Sequence, residues 1–225
     1  MRIKKLHDWR LSYKKAIALQ KRLAAKVRFT PVKKPLKIIA GLDCAFTRNT
    51  GKVIACVVVL RLPDFTLLET AYAVKKVHFP YIPGLLSFRE APTCLAAIRK
   101  LRTTPDAFLI DGQGIAHPRR LGIASHIGLF FNKPTIGCAK SRLIGTFEAP
   151  GSKKGEHSAL RDNNEIIGAV LRTRTDVKPL FVSVGHKCTL EDAINVTLAC
   201  TTRYRLPEPA RLAHQLVTKL TRQLS

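Results

Sequence analysis

The sequence predicts an α/β protein with one mixed sheet, three antiparallel strands followed by parallel strands, flanked by helices. Three apolar segments in the first third are joined by short turns, which is typical of an antiparallel meander. Later apolar segments alternate with segments of helical periodicity, as parallel strands require. The chain has 225 residues, 46% of them hydrophobic, which is enough for one sizeable core. We therefore predict a single domain over residues 1–225.

The first 37 residues are strongly basic and contain a single acid, Asp8. Trp9, Tyr13 and Ile17 recur at helical spacing, so we predict a helix over about residues 8–27 with an apolar seam. Its basic outer face either is solvated or contacts phosphate groups, and the pattern leaves both interpretations open.

Three strands follow, predicted at about residues 37–44, 53–60 and 65–77. The turn signals between them are Asn49-Thr50-Gly51 and Pro63-Asp64. Because short turns join antiparallel neighbours, we expect these strands to pair in sequence order.

A stiff segment comes next, Phe79-Pro80-Tyr81-Ile82-Pro83-Gly84. Its prolines fix φ on either side of Tyr81 and remove two backbone donors, so the segment cannot pair as a central strand and holds the tyrosine ring in one place. Directly after it, Ser87 and Glu90 stand three residues apart at the start of an apolar-periodic run. This spacing predicts a capping box that opens a helix over about residues 87–101.

The rest of the chain continues the α/β pattern. Gly112-Gln113-Gly114 predicts a turn, and Thr189 with Asp192 predicts a second capping box. We expect the remaining elements in this order: a strand at 107–111, a helix from Pro118 to about 130, a strand at 135–139, an exposed loop over 145–164, a hairpin of strands at 166–172 and 180–184, and helices at about 189–203 and 207–222.

Composition limits the partners and the setting. The formal net charge of +24 favours a polyanion, most simply a nucleic acid. The sequence shows neither an apolar run of membrane-spanning length nor a secretory signal, so we expect no membrane association and a cytoplasmic location. We also expect a monomer. The six cysteines form no CxxC pair, and His186 with Cys188 lacks a matching second pair, so we expect buried free thiols rather than a zinc site.

Two aspartates, Asp43 and Asp111, each end a predicted strand. If the two strands are adjacent and parallel, the carboxylates converge at the carboxyl edge of the sheet, where Mg²⁺ or Mn²⁺ offsets their repulsion. The alternative is that each aspartate only caps the turn that follows it. In so basic a chain we favour the metal site.

Three other residues have both a structural and a functional interpretation. Glu90 either only completes the capping box with Ser87 or also adds a third carboxylate. His214 is either a satisfied core histidine of the last helix or part of the cluster, and Lys140 is either solvated or meets a phosphate oxygen. Carboxylates that hold Mg²⁺ in a basic protein indicate phosphodiester hydrolysis.

Long stretches of the sequence resemble the endonuclease V family over about residues 35–222. The stretches are Phe79-Pro80-Tyr81-Ile82-Pro83-Gly84, Phe88-Arg89-Glu90, Asp111-Gly112-Gln113-Gly114-Ile115-Ala116-His117-Pro118, Gly122-Ile123-Ala124-Ser125-His126, Ala139-Lys140-Ser141-Arg142-Leu143 and Arg211-Leu212-Ala213-His214. The resemblance implies a ribonuclease H-like fold and a Mg²⁺-dependent DNA repair endonuclease. The implied substrate is DNA with deoxyinosine or related deaminated bases, cut at the second phosphodiester bond 3′ to the lesion to leave 3′-hydroxyl and 5′-phosphate ends.

The resemblance also implies roles for individual catalytic residues. Asp43 and Asp111 match metal ligands, and Glu90 and His214 complete the catalytic cluster. Lys140 matches a lysine near the active site.

Tyr81 matches a strand-separating wedge, with Pro80, Ile82 and Pro83 beside it. Its ring can stack where an extruded base has left a gap. The resemblance also implies a recess for hypoxanthine. Its turn glycines are Gly84, Gly114 and Gly122, whose backbone amides favour the carbonyl of hypoxanthine over the amine of adenine. Its wall residues are Leu86, His117 and Leu143.

Two other functions remain open at this point. One is an inosine-directed endoribonuclease that acts on single-stranded RNA. The other is a basic nucleic-acid-binding module without catalysis, against which the intact carboxylates argue.

Overall fold

A computed structural model of the protein describes residues 1–33, 35–47 and 50–224. Its elements run in this order: α1 (Tyr13–Ala24), β1 (Ile38–Phe46), β2 (Lys52–Arg61), β3 (Leu67–Lys76), α2 (Leu86–Arg99), β4 (Ala107–Ile110), α3 (Ile123–Phe131), β5 (Thr135–Ala139), β6 (His157–Asp162), β7 (Glu165–Leu171), β8 (Leu180–His186), α4 (Leu190–Ala199) and α5 (Glu208–Leu224).

The strands of the described residues form one mixed sheet in the order β3-β2-β1-β4-β5-β8-β7-β6. β1 pairs in parallel with β4, and β4 pairs in parallel with β5. The other neighbours are antiparallel, including β1 with β2 and β2 with β3. The predicted fold class is therefore confirmed, with the first three strands paired in sequence order. Of the predicted turn between β1 and β2, Asn49 lies outside the described residues.

Helices cover both faces of the sheet. Successive strand residues point to opposite faces, so Ile39 and Leu109 join the apolar cluster that includes α4, while Ala40 and Phe108 join the cluster of α2 and α3. α5 packs across β1 and β2. Among the described helices, none combines the length and apolar character that a membrane span requires.

The first helix is shorter than predicted. α1 begins after Ser12, whose hydroxyl accepts a hydrogen bond from Lys15 N, and it ends at Ala24. Trp9 lies before the helix and stacks on Phe130, with ring centroids 5.3 Å apart. Trp9 therefore contacts the core from an irregular segment. The periodicity of the sequence alone cannot distinguish such a segment from one more turn of the helix.

The capping box predicted for α2 is wrong. The N-cap of α2 is Leu85, and no side chain accepts a hydrogen bond there. The Ser87 hydroxyl instead lies 2.9 Å from His126 Nδ1. Glu90 therefore has no capping role, because the spacing of a capping box does not show which tertiary partner the serine meets. The second predicted capping box, Thr189 with Asp192, is confirmed.

Two further predictions are corrected in the second half of the chain. The helix expected from Pro118 begins at Ile123, with Gly122 as its N-cap. The expected loop over residues 145–164 contains β6, which pairs with β7. Its sequence lacks a continuous apolar run because one face of this edge strand is solvated. The six cysteines are free thiols, as predicted, and all are buried except the half-buried Cys44.

Candidate active site

Two carboxylates and an imidazole converge at the carboxyl edge of the parallel strands. Leu42 of β1 is paired with Ile110 of β4, so the residues that follow, Asp43 and Asp111, are neighbours. One ligand atom from each of Asp43, Asp111 and His214 lies within 4.8 Å of the others. Asp43 does not end its strand as predicted, since β1 continues to Phe46, but the carboxylates still meet.

Gly41 allows α5 to bring His214 into this cluster. A Cβ at Gly41 would lie 1.9 Å from the Pro209 carbonyl oxygen at the start of α5, so only glycine permits this close approach. Asp43, two residues along β1, faces the same side of the sheet. His214 Nδ1 donates to Asp43 Oδ2 at 2.7 Å. The approach of the helix thus fixes the imidazole against the carboxylate.

The electrostatics of the cluster suit a hard divalent cation. Burial raises the pKa of Asp43, and the neighbouring Asp111 raises it further, while His214 and Lys140 oppose the rise. Lys140 Nζ lies 2.5 Å from Asp111 Oδ2 and offsets part of the negative charge. The carboxylate oxygens of Asp43 and Asp111 are the donors that Mg²⁺ and Mn²⁺ prefer, whereas an imidazole nitrogen such as that of His214 is a softer donor. The residues present therefore fit a metal of this type.

Glu90 of α2 lines the same pocket from the other side. It is 8% exposed, and its carboxyl pKa is raised to about 7, chiefly by burial and to a smaller extent by the charges of Asp43 and Asp111. A hydrogen bond with Cys44 and the nearby Arg89 oppose the rise. A carboxyl of this pKa can accept or release a proton near neutral pH.

A pocket of about 550 Å³ extends from this cluster to the stiff segment. Gly114 lies behind its wall, where its N–H donates to Ser183 Oγ at 2.8 Å. The Gly122 N–H donates to the Gly114 carbonyl at 2.8 Å, so both amides are engaged within the protein. The other residues predicted for a recess line the pocket: Gly84, Leu86, His117, Gly122 and Leu143.

Tyr81 stands at the mouth of the pocket with 69% of its surface exposed. The guanidinium carbon of Arg89 lies 5.7 Å from the Tyr81 ring centroid and 4.5 Å from that of Phe46. Arg89 is thus within cation–π distance of both rings and links the exposed Tyr81 to Phe46 of β1, a contact that the sequence did not indicate. Of the residues beside Tyr81, Pro80 and Pro83 are exposed and Ile82 is half-buried.

The Gly84 carbonyl anchors the stiff segment to distant parts of the chain. It accepts hydrogen bonds from Gln20 Nε2 at 3.0 Å, from Arg119 at 2.6 Å and from His117 Nε2 at 3.0 Å. Gly84 has φ of +74°, a conformation that favours glycine. The sequence contains one signal for this contact, the polar Gln20 among the apolar positions of α1. That signal does not indicate which residue Gln20 contacts.

The chain is similar to known proteins in both sequence and structure. A family model described as Endonuclease V matches residues 21–215. Endonuclease V of Dehalococcoides mccartyi is 50% identical over 220 residues, which cover 98% of this chain and 99% of that protein. The crystal structure of endonuclease V from Streptomyces avermitilis superposes with a TM-score of 0.92 at 39% identity and covers 99% of each chain.

A further solved relative is endonuclease V of Ciona intestinalis in complex with a 24mer DNA containing an inosine followed by a ribo-adenosine. It has a TM-score of 0.81 at 27% identity, covering 94% of this chain and 98% of that one. The shared fold is ribonuclease H-like, as predicted.

Proposed function

This chain belongs to the endonuclease V family, and from that premise we propose that it is a Mg²⁺-dependent endonuclease that cuts DNA at deaminated purines, above all deoxyinosine. Mn²⁺ can replace Mg²⁺ at such oxygen-rich sites. The observation that carries the proposal is the cluster of Asp43, Asp111 and His214 at one end of a pocket large enough for a base. The Ciona relative, bound to an inosine-containing DNA, supports the substrate.

The bond that is cut is the second phosphodiester 3′ to the lesion, which leaves 3′-hydroxyl and 5′-phosphate ends. The pocket supports an offset of this kind, because it is lined both by Tyr81 and Leu86 and by the carboxylate cluster. In this proposal a base held beside Leu86 presents a neighbouring phosphate, rather than its own, to the carboxylates.

Each side chain of the cluster has a chemical role in this proposal. Asp43 and Asp111 would hold the metal, which when bound stabilises charge on the scissile phosphate and lowers the pKa of a water. Glu90, with a carboxyl pKa of about 7, takes a proton from the attacking water. Lys140 brings an ammonium group to the phosphate, and the Asp43 contact orients the His214 ring.

The test uses labelled duplex DNA with one deoxyinosine, incubated with Mg²⁺ and mapped for the position of the cut. We expect cleavage at the second bond 3′ to the lesion. Asp43→Asn should still bind this DNA but cut it about 1,000-fold more slowly, since a metal contributes several kcal/mol to the transition state. Asp64→Asn, in the exposed turn after β2, is the matched control and should cut normally. Full activity of Asp43→Asn would contradict the metal assignment.

Cleavage of inosine-containing single-stranded RNA is the second candidate. The DNA bound by the Ciona relative carries a ribo-adenosine after the inosine, so that relative accommodates a ribonucleotide next to the lesion. The same assay with a single-stranded RNA that contains one inosine gives the relative rates on the two substrates.

A further inference from the structure

A chain of side-chain hydrogen bonds connects the pocket to the N-terminal segment. Ser87 lines the pocket, and its Oγ lies 2.9 Å from His126 Nδ1. His126 Nε2 lies 2.8 Å from His7 Nε2, and His7 Nδ1 lies 2.9 Å from the Asp8 carbonyl oxygen. Ser87 is 3% exposed and His126 is fully buried. We name these four groups the serine–histidine chain.

The carbonyl at one end determines where every proton of the chain lies. A carbonyl oxygen only accepts, so His7 Nδ1 must carry the proton, and in a neutral ring His7 Nε2 then accepts. His126 Nε2 must therefore donate, which leaves His126 Nδ1 as an acceptor. The Ser87 hydroxyl then donates to it.

Both imidazoles are neutral, as this assignment requires. Burial, with a smaller contribution from His7, lowers the pKa of His126 to about 3. Burial also lowers the pKa of His7, despite the opposing backbone contact with Asp8. Near neutral pH neither ring carries a second proton, so the direction of donation along the chain cannot reverse.

As a consequence, the Ser87 oxygen can only accept a further hydrogen bond. A serine hydroxyl has one proton and two lone pairs, and it usually rotates to donate or to accept as its partner requires. The Ser87 hydroxyl donates its single proton in the hydrogen bond to His126 Nδ1. A group in the pocket that meets the Ser87 oxygen therefore meets lone pairs alone.

We propose that Ser87 is a specificity-determining residue that accepts a hydrogen bond from the N1–H of a purine held in the pocket, and that His126 and His7 are positioning residues that hold its hydroxyl in this state. The inference rests on the proposed function and deepens it. Hypoxanthine carries a proton at N1, whereas adenine has a bare nitrogen there. Adenine therefore brings a lone pair against the lone pairs of Ser87, and neither group gains a partner.

Gln113 is the competing acceptor in the same pocket. Its Nε2 donates to the Ser141 carbonyl at 3.0 Å, and its Oε1 is buried without a hydrogen-bond partner among the described residues. A second acceptor agrees with a pocket built for a base that donates. It also requires an experiment that separates the two oxygens.

The experiment compares single-stranded oligonucleotides that are identical except for hypoxanthine or adenine at one central position. Affinity and cleavage rate are measured for the parent protein and for Ser87→Ala, with Ser152→Ala, an exposed serine, as the matched control. We expect Ser87→Ala to lower the preference for hypoxanthine about tenfold, which corresponds to one hydrogen bond, without any loss of affinity for the adenine oligonucleotide, because adenine makes no hydrogen bond to Ser87. Thermal unfolding establishes that each variant is folded.

Two further variants test the positioning role. His126→Asn keeps a side-chain acceptor for the Ser87 hydroxyl and should retain most of the preference, whereas His126→Leu should lose it. The ¹⁵N spectrum of the parent protein should show His126 neutral and protonated at Nε2. Protonation at Nδ1 instead would overturn the assignment.

The outcomes separate this inference from the function on which it rests. If the parent protein neither prefers hypoxanthine in these oligonucleotides nor cuts the duplex DNA with deoxyinosine, the proposed function fails. If the parent prefers hypoxanthine and Ser87→Ala keeps that preference within about twofold, the function stands and the inference is overturned. Loss of the preference in Gln113→Leu, with retention in Ser87→Ala, would also overturn it and assign the contact to Gln113.

Discussion

Glu90 is a single residue of the site whose buried carboxylate lowers the stability of the folded protein at high pH. Its carboxyl has an ordinary pKa of 4.5, and burial raises this pKa to about 7 in the folded protein. The folded state therefore binds the proton more tightly than the unfolded state. The contribution of this bound proton to the stability of the folded state is complete below pH 4.5 and is lost as the pH rises through about 7. Above that pH the folded protein holds a buried, charged carboxylate at a cost.

Removal of this charge should stabilise the metal-free protein at alkaline pH. We expect Glu90→Gln to raise the free energy of unfolding by up to about 3 kcal/mol near pH 8 and to change it little near pH 4.5. Urea denaturation at both pH values, in the presence of a chelator, measures the difference. Glu148→Gln, an exposed position, is the control. An equal effect of Glu90→Gln at the two pH values would mean that packing, not charge, is responsible.

At the scale of elements, the stiff segment depends on residues far from it in the chain. Prolines make it rigid, but the Gly84 carbonyl is held by Gln20 of α1 and by Arg119. Arg89 of α2 lies within cation–π distance of the Tyr81 ring. A strand-separating role for Tyr81 requires a support that does not yield, and here two helices and the loop between β4 and α3 contact the segment.

Replacement of the wedge should affect recognition of the lesion more than general affinity. We expect Tyr81→Ala to weaken binding to inosine-containing DNA about tenfold, because base–aromatic stacking is lost, with little change on undamaged DNA. A gel-shift series with the two DNAs measures the ratio. Tyr72→Ala removes another exposed tyrosine, on β3, and should leave the ratio unchanged. The wedge role would be rejected if both variants kept the ratio of the parent protein.

For the whole molecule, the net charge of +24 predicts that affinity for nucleic acid falls steeply with salt. α1 has no acidic residue in its sequence and is tied to the pocket through Gln20. Its outer face carries exposed basic side chains: Lys14, Lys15, Lys21 and Arg22.

We expect this face to bind phosphates rather than only water. Replacement of its four basic residues by Gln should reduce the slope of log affinity against log salt by about 0.9 for each duplex phosphate that the variant no longer neutralises. Titrations between about 50 and 200 mM salt measure the slope. The control replaces exposed basic residues near the opposite end of the sheet: Lys37, Arg99, Lys100 and Arg102. Equal slopes for the two variants would assign α1 a solvated face.

Local patterns were sufficient to predict every strand except β6 and to place Asp43 and Asp111 at or near the ends of two strands. Hydrophobic periodicity and turn residues lie within a few positions of one another, so strands such as β2 and β4 could be recognised before their partners were known. Once β1 and β4 are parallel neighbours, Asp43 and Asp111 must meet at one edge. Even an error in the end of β1 did not alter that result.

The sequence by itself determined the mixed sheet, the basic character and the stiff aromatic segment. The tertiary structure alone decided that Ser87 contacts His126 rather than capping α2, and that the Gly114 amide is engaged behind the pocket wall. Ser87 and His126 are 39 residues apart, and His7 and His126 are 119 apart. Contacts between such distant residues depend on how whole helices and strands pack against one another. A periodic pattern within one element does not indicate which other element it packs against.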